Sequence, residues 1–341
     1  MHALPARADV VIVGGGFAGA ATAWALRRRG CTNVILLERE GQLGRFASGR
    51  SAGLGRQLAE DDATTAFTVC GAELQRGLPD VWQPTGGLLG FDDAGHADAY
   101  AARAARFGVG VERIDRERVA THWPALADLH VTHALWIPSD GVIDVTRLLA
   151  ALTEHVEVAL AAGVERVVAE DRGARVITAR GEIAARVVVD AAGAWAGAAV
   201  GDAPLESFKR HVFVLDAPIA VRTPFLWHIG HGEFYVRDDG GHVLASPCDA
   251  SPCEPGHQEP DLVGEAHLRR LFDDAGSPLG TAPITRRWAC QRAFAADRLL
   301  RVGRDPARPY LVWAAALGGH GATAGPAVGE RAADAVIAAL E

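Results

Sequence analysis

The chain has 341 residues, 49% of them hydrophobic, which at about 150 residues per domain suits two domains that each bury a core. Its 34 basic residues against 42 acidic ones leave a formal net charge of -8, which argues against the basic face that nucleic-acid binding requires. Only one of those 34 is a lysine, Lys209, so a phosphate loop ending in lysine is excluded and Schiff-base chemistry would rest on that residue alone.

Residues 9–13, DVVIV, form a β-branched run without alternation, the pattern of a parallel strand buried on both faces. Gly14 to Gly19 follow, then an alanine-rich helix to about residue 29 and a second strand over 33–37 that ends at Glu38. Together they make one βαβ unit. A Gly/Ser-rich loop covers 44–53, and helical patterning predicts a helix over 64–78. Next come a strand over 85–91, helices over 97–107 and 116–122, and a turn at 138–141. Asp144 reads as the cap of a helix through Leu152. Residues 155–183 read as strands meeting at a hairpin around 171–173, and 187–190 as another buried strand. Strand-like runs alternate with turns over 208–245, 246–264 is irregular, and 265–272 is helical. A last apolar strand, 311–316, leads through Gly318-Gly319-His320-Gly321 into a helix to about residue 340. The apolar, parallel-type strands lie at the start, middle and end of the chain. A discontinuous nucleotide domain is therefore expected, formed by 1–80, 140–205 and 290–341, with 81–139 and 206–289 making a second domain.

Two uncharged stretches invite a membrane reading. Residues 10–26 follow Arg7 in the manner of a secretory leader, and 310–329 approach the length of a span. Four glycines in the first, and five glycines, a histidine and Pro326 in the second, fit loops and helix ends better. The five cysteines, 31, 70, 248, 253 and 290, are odd in number in a chain too long for a disulfide scaffold. The expectation is a cytoplasmic protein without an integral membrane segment.

Three motifs carry chemistry. In Gly14-x-Gly16-x-x-Gly19 the glycines allow a tight turn and close backbone approach to a pyrophosphate at the positive end of a helix. Glu38, 19 residues after Gly19, stands at a strand end where a carboxylate can take both ribose hydroxyls; an acid there fits FAD or NAD better than NADP. Residues 187–195, VVVDAAGAW, read alone as a core strand with a small-residue turn. Gly318 to Gly321 bring backbone N–H groups and a helix N-terminus onto a ligand, an arrangement suited to the negative charge of a reduced flavin.

Taken in order, GGGFAGA…LLERE, GRSAG, VVVDAAGAW and GGHGATAGPAVGE resemble the FAD-dependent D-amino-acid oxidase superfamily over nearly the whole chain. The nearest branches are the glycine oxidase, sarcosine oxidase and D-arginine dehydrogenase types. The resemblance implies an α/β, Rossmann-type FAD domain and a substrate domain whose mostly antiparallel sheet covers the flavin. It implies cofactor contacts from Gly14, Gly16, Phe17, Ala18, Gly19, Glu38 and Arg39. Arg50 and Ser51 would lie near the pyrophosphate or flavin, and Val164 would meet the adenine through its backbone. Ala192, Gly193 and Trp195 join the set, with Gly318, Gly319, His320, Gly321, Ala322 and Thr323 at the C-terminal loop, where His320 would tune the flavin. Arg292, within WACQRAFAAD, matches an arginine that forks onto the substrate carboxylate, and Tyr235, within EFYV, a tyrosine that hydrogen-bonds it. Arg210 is a second carboxylate candidate. Cys290 aligns with the cysteine that sarcosine-oxidase-like enzymes link to the flavin, although Arg292 belongs to the non-covalent pattern.

The sequence departs from these branches in places. Leu54 and Ala59 replace the histidine and tyrosine of D-arginine dehydrogenase-like proteins, and their acid for a cationic side chain falls near Gly86. The lysine of the sarcosine type falls near Thr323, and its oxygen-activating lysine near Ala245. The pairs His228/His231 and Cys248/Cys253 match no common zinc module, and no metal is expected. The expected activity is FAD-dependent oxidation of the C–N bond of a small amino acid or secondary amine, by hydride transfer to flavin N5, giving an imine. Oxygen or another acceptor would reoxidise the flavin, with a dehydrogenase favoured over an oxidase. Oxidation of a 2-hydroxy acid and non-catalytic flavin binding are the alternatives. An NAD-dependent enzyme is disfavoured because the C-terminal glycine loop would then have no role.

Overall fold

Val10, Val11 and Ile12 are completely buried, as a run without alternation requires of a strand covered on both faces. The computed structural model of the protein describes residues 3–202 and 205–341. In it, Arg7–Val13 is a central strand of an eight-stranded sheet. Val34–Leu37 lies parallel on one side of it with Val10 opposite Val34, and Glu157–Ala159 continues beyond. Gly181–Asp190 lies parallel on the other side with Val10 opposite Val187. Leu311–Ala315 then adds in parallel, Val188 opposite Leu311, and Arg301–Arg304 closes that edge antiparallel. The hairpin Val164–Glu170 and Gly173–Thr178 pairs antiparallel with the first half of Gly181–Asp190. The helices Phe17–Arg28 and Gly321–Leu340 cross on one face of this sheet, and Asp62–Arg76 packs on the second of them. The crossing is tight: a Cβ on Gly329 would come within 2.3 Å of the Ala21 backbone.

The second sheet has nine strands and is antiparallel except where Phe225–Ile229 runs beside Gly87–Phe91. Its longest strands, Glu206–Pro218 and Ile284–Phe294, pair over almost their whole length. Alternation decides its faces. Phe213, Leu215, Phe234 and Val236 pack on Leu268, Leu271 and Phe272 of the helix Leu262–Asp274. Val212, Val214, Tyr235 and Trp227 point to the other side, where they cluster with Leu58 and with Ala97 and Tyr100 of the helix Ala94–Arg106, and where Val212 and Tyr235 reach the cleft. A full burial of each such side chain is worth about 1.5–3 kcal/mol, so both faces are firmly held. The expected boundary at residue 290 falls inside Ile284–Phe294, which belongs to the second sheet throughout.

A small third sheet of Leu54–Gly55, Gly141–Ile143 and Trp82–Gln83 joins the two and was not legible in the sequence. Two-residue strands carry no periodicity to read. Helix ends are better marked. Asp144 caps Val145–Thr153 through the N–H groups of Thr146 and Arg147, as its position predicts. Asp61 caps Asp62–Arg76 two residues ahead of the expected start at 64. No helix among the described residues is long and apolar enough to cross a membrane.

Candidate active site

A cleft of about 1670 Å³, counting the part open to solvent, runs between the two sheets. One end is made by the first βαβ unit. Gly14, at φ 107°, sits where a Cβ would lie 2.5 Å from the Ala191 carbonyl oxygen, so glycine lets the first turn dock on the loop after Asp190. That loop is shaped by the buried Asp190, whose carboxylate accepts the N–H groups of Ala192 and Gly197. Glu38 turns both oxygens onto backbone: Oε2 accepts Gly15 N–H at 2.7 Å and Oε1 accepts Glu40 N–H at 2.8 Å. Phe17 N–H donates to Ser48 Oγ at 3.0 Å, which brings the 44–53 loop to the helix N-terminus. Arg39 lies over Trp195 at 4.1 Å and near Phe46 at 5.4 Å, forming the outer wall beside Val164.

The other end is roofed by the second sheet. Tyr235, Cys290 and Arg292 line it, with Gly318, Gly319, Gly321 and Ala322 opposite. Gly318 N–H donates to the Ala293 carbonyl at 3.1 Å. A Cβ on Gly318 would meet Phe294 at 2.6 Å, and one on Gly319 would meet Arg292 Nη1 at 3.2 Å. The glycines thus let the C-terminal loop lie directly against the arginine. Arg292 has no hydrogen bond or ion pair among the described residues, although it is flanked by protein on both sides. Burial pushes the Tyr235 phenol and the Cys290 thiol up from their ordinary values, with Arg292 acting in the opposite sense on both.

Of the residues expected from the sequence, eighteen line this one cleft: Gly14, Gly16, Phe17, Ala18, Glu38, Arg39, Ser51, Val164, Ala192, Gly193, Trp195, Tyr235, Cys290, Arg292, Gly318, Gly319, Gly321 and Ala322. Five stand off its wall. Gly19 lies beneath the first turn, where a Cβ would be 1.9 Å from Gly14 O. Arg50 is not among the lining residues: it donates to the Ala289 carbonyl at 3.0 Å and meets His257 Nδ1 at 2.7 Å, clamping its loop to the second sheet. Thr323 donates to the Leu54 carbonyl at 3.0 Å. His320 turns its ring outward, with Nε2 2.9 Å from Glu60 Oε2. Arg210 lies beside Arg292, with its Nε on the Asp249 carbonyl at 2.7 Å. Lys209 pairs with Asp261 and does not line the cleft.

Sequence reading missed three contributors. Ser48 was visible as part of the small-residue loop, but nothing local singled it out from Ser51. Glu60 and Arg56 had no signal at all. Arg56, 4% exposed, pairs with Glu60 and lies 4.0 Å over the Trp227 ring, which in turn tilts against Tyr235 at 5.0 Å. Burial would raise the Glu60 carboxyl, but Arg56 and His320 hold it well below the usual range. A polar chain from His320 through Glu60 to Arg56 therefore ties the C-terminal glycine loop to the aromatic wall that carries Tyr235.

The glycine cradles at both ends, two helix N-termini directed at one cleft, and an acid at the end of the second strand fit a dinucleotide with a second charged ring system. Such a site defines a nucleotide-dependent oxidoreductase. Residues 9–335 match the model of the FAD dependent oxidoreductase family, and the chain belongs to that family. It is 27% identical over 366 residues to 4-methylaminobutanoate oxidase (formaldehyde-forming) of Paenarthrobacter nicotinovorans, a match covering 98% of this chain and 44% of that protein. The chain thus spans less than half the length of that relative. The fold is similar to L-proline dehydrogenase from P. horikoshii, with TM-score 0.85 and 24% identity over 97% of this chain and 93% of the other. It is also similar to glycine oxidase from Geobacillus kaustophilus, with TM-score 0.83 and 23% identity over 98% and 95% of the two chains.

Proposed function

We propose that the protein oxidises the C–N bond of a small amino acid or secondary amine. The observation that carries this reading is Arg292, a guanidinium on the cleft wall with no acid partner among the described residues. A planar fork of donors in that position suits a substrate carboxylate. Tyr235, kept a neutral phenol by burial, adds a hydrogen bond from the same roof.

The glycine turn at Gly14 to Ala18 would hold the pyrophosphate of FAD, Glu38 the ribose, and Ala192 to Trp195 with the Val164 backbone the adenosine side. Gly318 to Ala322 would face the ring, with their backbone N–H groups and helix end offsetting negative charge on it. When bound, FAD supplies the two-electron acceptor for the hydride leaving the carbon next to nitrogen, and the substrate becomes an imine that water hydrolyses. The residues' part is to fix that carbon by fixing the carboxylate, and proximity supplies much of the rate. The sheets divide the work, the parallel one holding the cofactor and the antiparallel one the substrate.

No histidine lines the cleft among the described residues, and its acids, Glu38 and Glu165, lie on the cofactor side. This favours an amine over a 2-hydroxy acid. An alcohol must lose its O–H proton as hydride leaves and so needs a base, whereas a neutral amine already offers a lone pair. The relative's printed substrate, 4-methylaminobutanoate, is a secondary amine with a carboxylate, in keeping with this class. The buried Cys290 thiol is a poor source of thiolate, which supports non-covalent FAD. Acid precipitation should release all the yellow colour. With the chain's one lysine tied to Asp261 and off the cleft wall, a dehydrogenase is favoured, and reduced protein should reoxidise slowly in air.

The test is Arg292→Ala. It should raise KM for the best amine substrate roughly a hundredfold while FAD stays bound, as expected for loss of a charge-assisted pair. An unchanged KM would remove Arg292 from the carboxylate role.

A further inference from the structure

Beside Arg292, just off the cleft wall, lies a second cation with no acid of its own among the described residues, Arg210. In the pairing of Glu206–Pro218 with Ile284–Phe294, Phe208 faces Arg292 and Arg210 faces Cys290. Side chains of opposed residues share a face, so Arg210 and Arg292 are diagonal neighbours on one side of the sheet, about 7–8 Å apart at the backbone. Val212 and Cys290 project from that same face and line the cleft.

Two like charges so placed repel each other, and burial adds to the cost. Arg210 is held below its ordinary value by burial and then by Arg292. Other shielded arginines carry their own acids: Arg56 has Glu60, Arg237 has Asp239, and Arg308 has Asp202 and Asp305. Arg210 has one carbonyl on its Nε and no acceptor on either terminal nitrogen among the described residues. Neither of those nitrogens is sealed from solvent, unlike Nη1 of Arg56. The acids nearby are committed elsewhere. Asp249 holds His211 at 2.7 Å, and Glu233 accepts the Trp227 indole N–H at 2.6 Å. The pair is therefore short of two negative charges, and one substrate carboxylate supplies only one.

Resting on the carboxylate role of Arg292, we infer that the substrate is a dicarboxylate: an amine or amino acid with one carboxylate on Arg292 and a second on Arg210. A phosphate dianion would require both forks to converge on a single group, whereas the two side chains start two residues out of step on neighbouring strands.

The FAD-loaded protein, mixed anaerobically with sarcosine, iminodiacetate, N-methylaspartate and glycerol 3-phosphate, tests this through flavin bleaching. The dicarboxylates should reduce the flavin with kcat/KM at least about tenfold above sarcosine. Arg210→Gln should erase that preference, and Arg210→Lys, which keeps the charge, should retain part of it. Equal rates with sarcosine, or bleaching by glycerol 3-phosphate alone, would overturn the dicarboxylate assignment. Titration calorimetry with malonate against acetate reads the same site without turnover. Malonate should bind at least about tenfold tighter to the wild type and lose that margin in Arg210→Gln. If no amine bleaches the flavin while malonate keeps its margin, the C–N chemistry fails and the two-anion site stands. Equal binding of malonate and acetate overturns the site itself.

Discussion

At the Glu38 end of the cleft the wall is backbone: glycine turns, N–H groups at a helix N-terminus, and one carboxylate locked onto two amides. At the Arg292 end it is side chains, projecting from paired antiparallel strands and separated by two-residue steps. Backbone recognition leaves few ways to vary what binds, because each substitution moves the chain itself. Side-chain recognition on a fixed sheet can change its ligand by one residue. Under the proposed function, this contrast would let one fold keep its cofactor while its substrate differs.

The contrast can be broken most severely at Gly19. Gly19→Ala puts a Cβ 1.9 Å from Gly14 O, with no flexible side chain to yield. It should cost about 3 kcal/mol or more and abolish co-purifying flavin, seen as loss of the visible spectrum. Glu38→Gln is milder, since one oxygen still accepts Gly15 N–H. FAD affinity should fall about tenfold to a hundredfold with unchanged circular dichroism, measured by fluorescence titration of the apoprotein.

A pH-sensitive element lies off the cleft wall, at the turn before the strand Gly141–Ile143. Asp140 is fully buried and accepts from Gln57 N and Nε2 on Oδ1, while Oδ2 has no partner among the described residues. Burial raises its carboxyl to about 7, against a favourable pull from Gln57 and Arg56. Because the folded state holds this proton more tightly than the unfolded state, its contribution is fully present below about pH 4 and is lost as pH climbs towards 7. Asp140→Asn should therefore raise stability at pH 8 by on the order of 2 kcal/mol and flatten the melting temperature between about pH 4 and 7, the window set by the two pKa values. A melting curve that still falls across that range would assign the slope to another group.

The smallest effect is expected at Glu60, half exposed and bridging the two walls. Glu60→Gln should change kcat by no more than about fivefold, in keeping with a partly solvated pair. It should also shift the flavin reduction potential through the His320 loop. A changed KM with an unchanged potential would place its influence on Tyr235 instead.

The residues that line the Glu38 end of the cleft were nearly all marked in the sequence, because glycine at a forced φ or a close approach leaves a local mark and the acid follows at a fixed distance. Arg292 and Tyr235 were legible only through their surrounding motif, since 33 arginines make charge alone uninformative. What escaped was polar pairing across the chain. Gln57 meets Asp140 from 83 residues away and Glu60 meets His320 from 260, and no periodicity encodes such partners. Arg50 belongs with these: its side chain meets His257, 207 residues on, and the Ala289 carbonyl, 239 residues on, pairings that its place in the GRSAG loop does not disclose.

The order of strands in the parallel sheet also has a consequence for synthesis. Gly181–Asp190 acquires its outer neighbour only when Leu311–Ala315 is made, and the helix Gly321–Leu340 that covers Phe17–Arg28 comes later still. A nascent chain that has passed residue 190 therefore waits for more than about a hundred further residues, at about 5–20 per second, with an apolar strand edge unpaired. During that interval the glycine turn is present but half its cleft is missing, so FAD can act as a folding ligand only after the last elements emerge. Riboflavin supply should accordingly govern the yield of folded protein once residue 340 has emerged from the ribosome, and chaperones should govern it before.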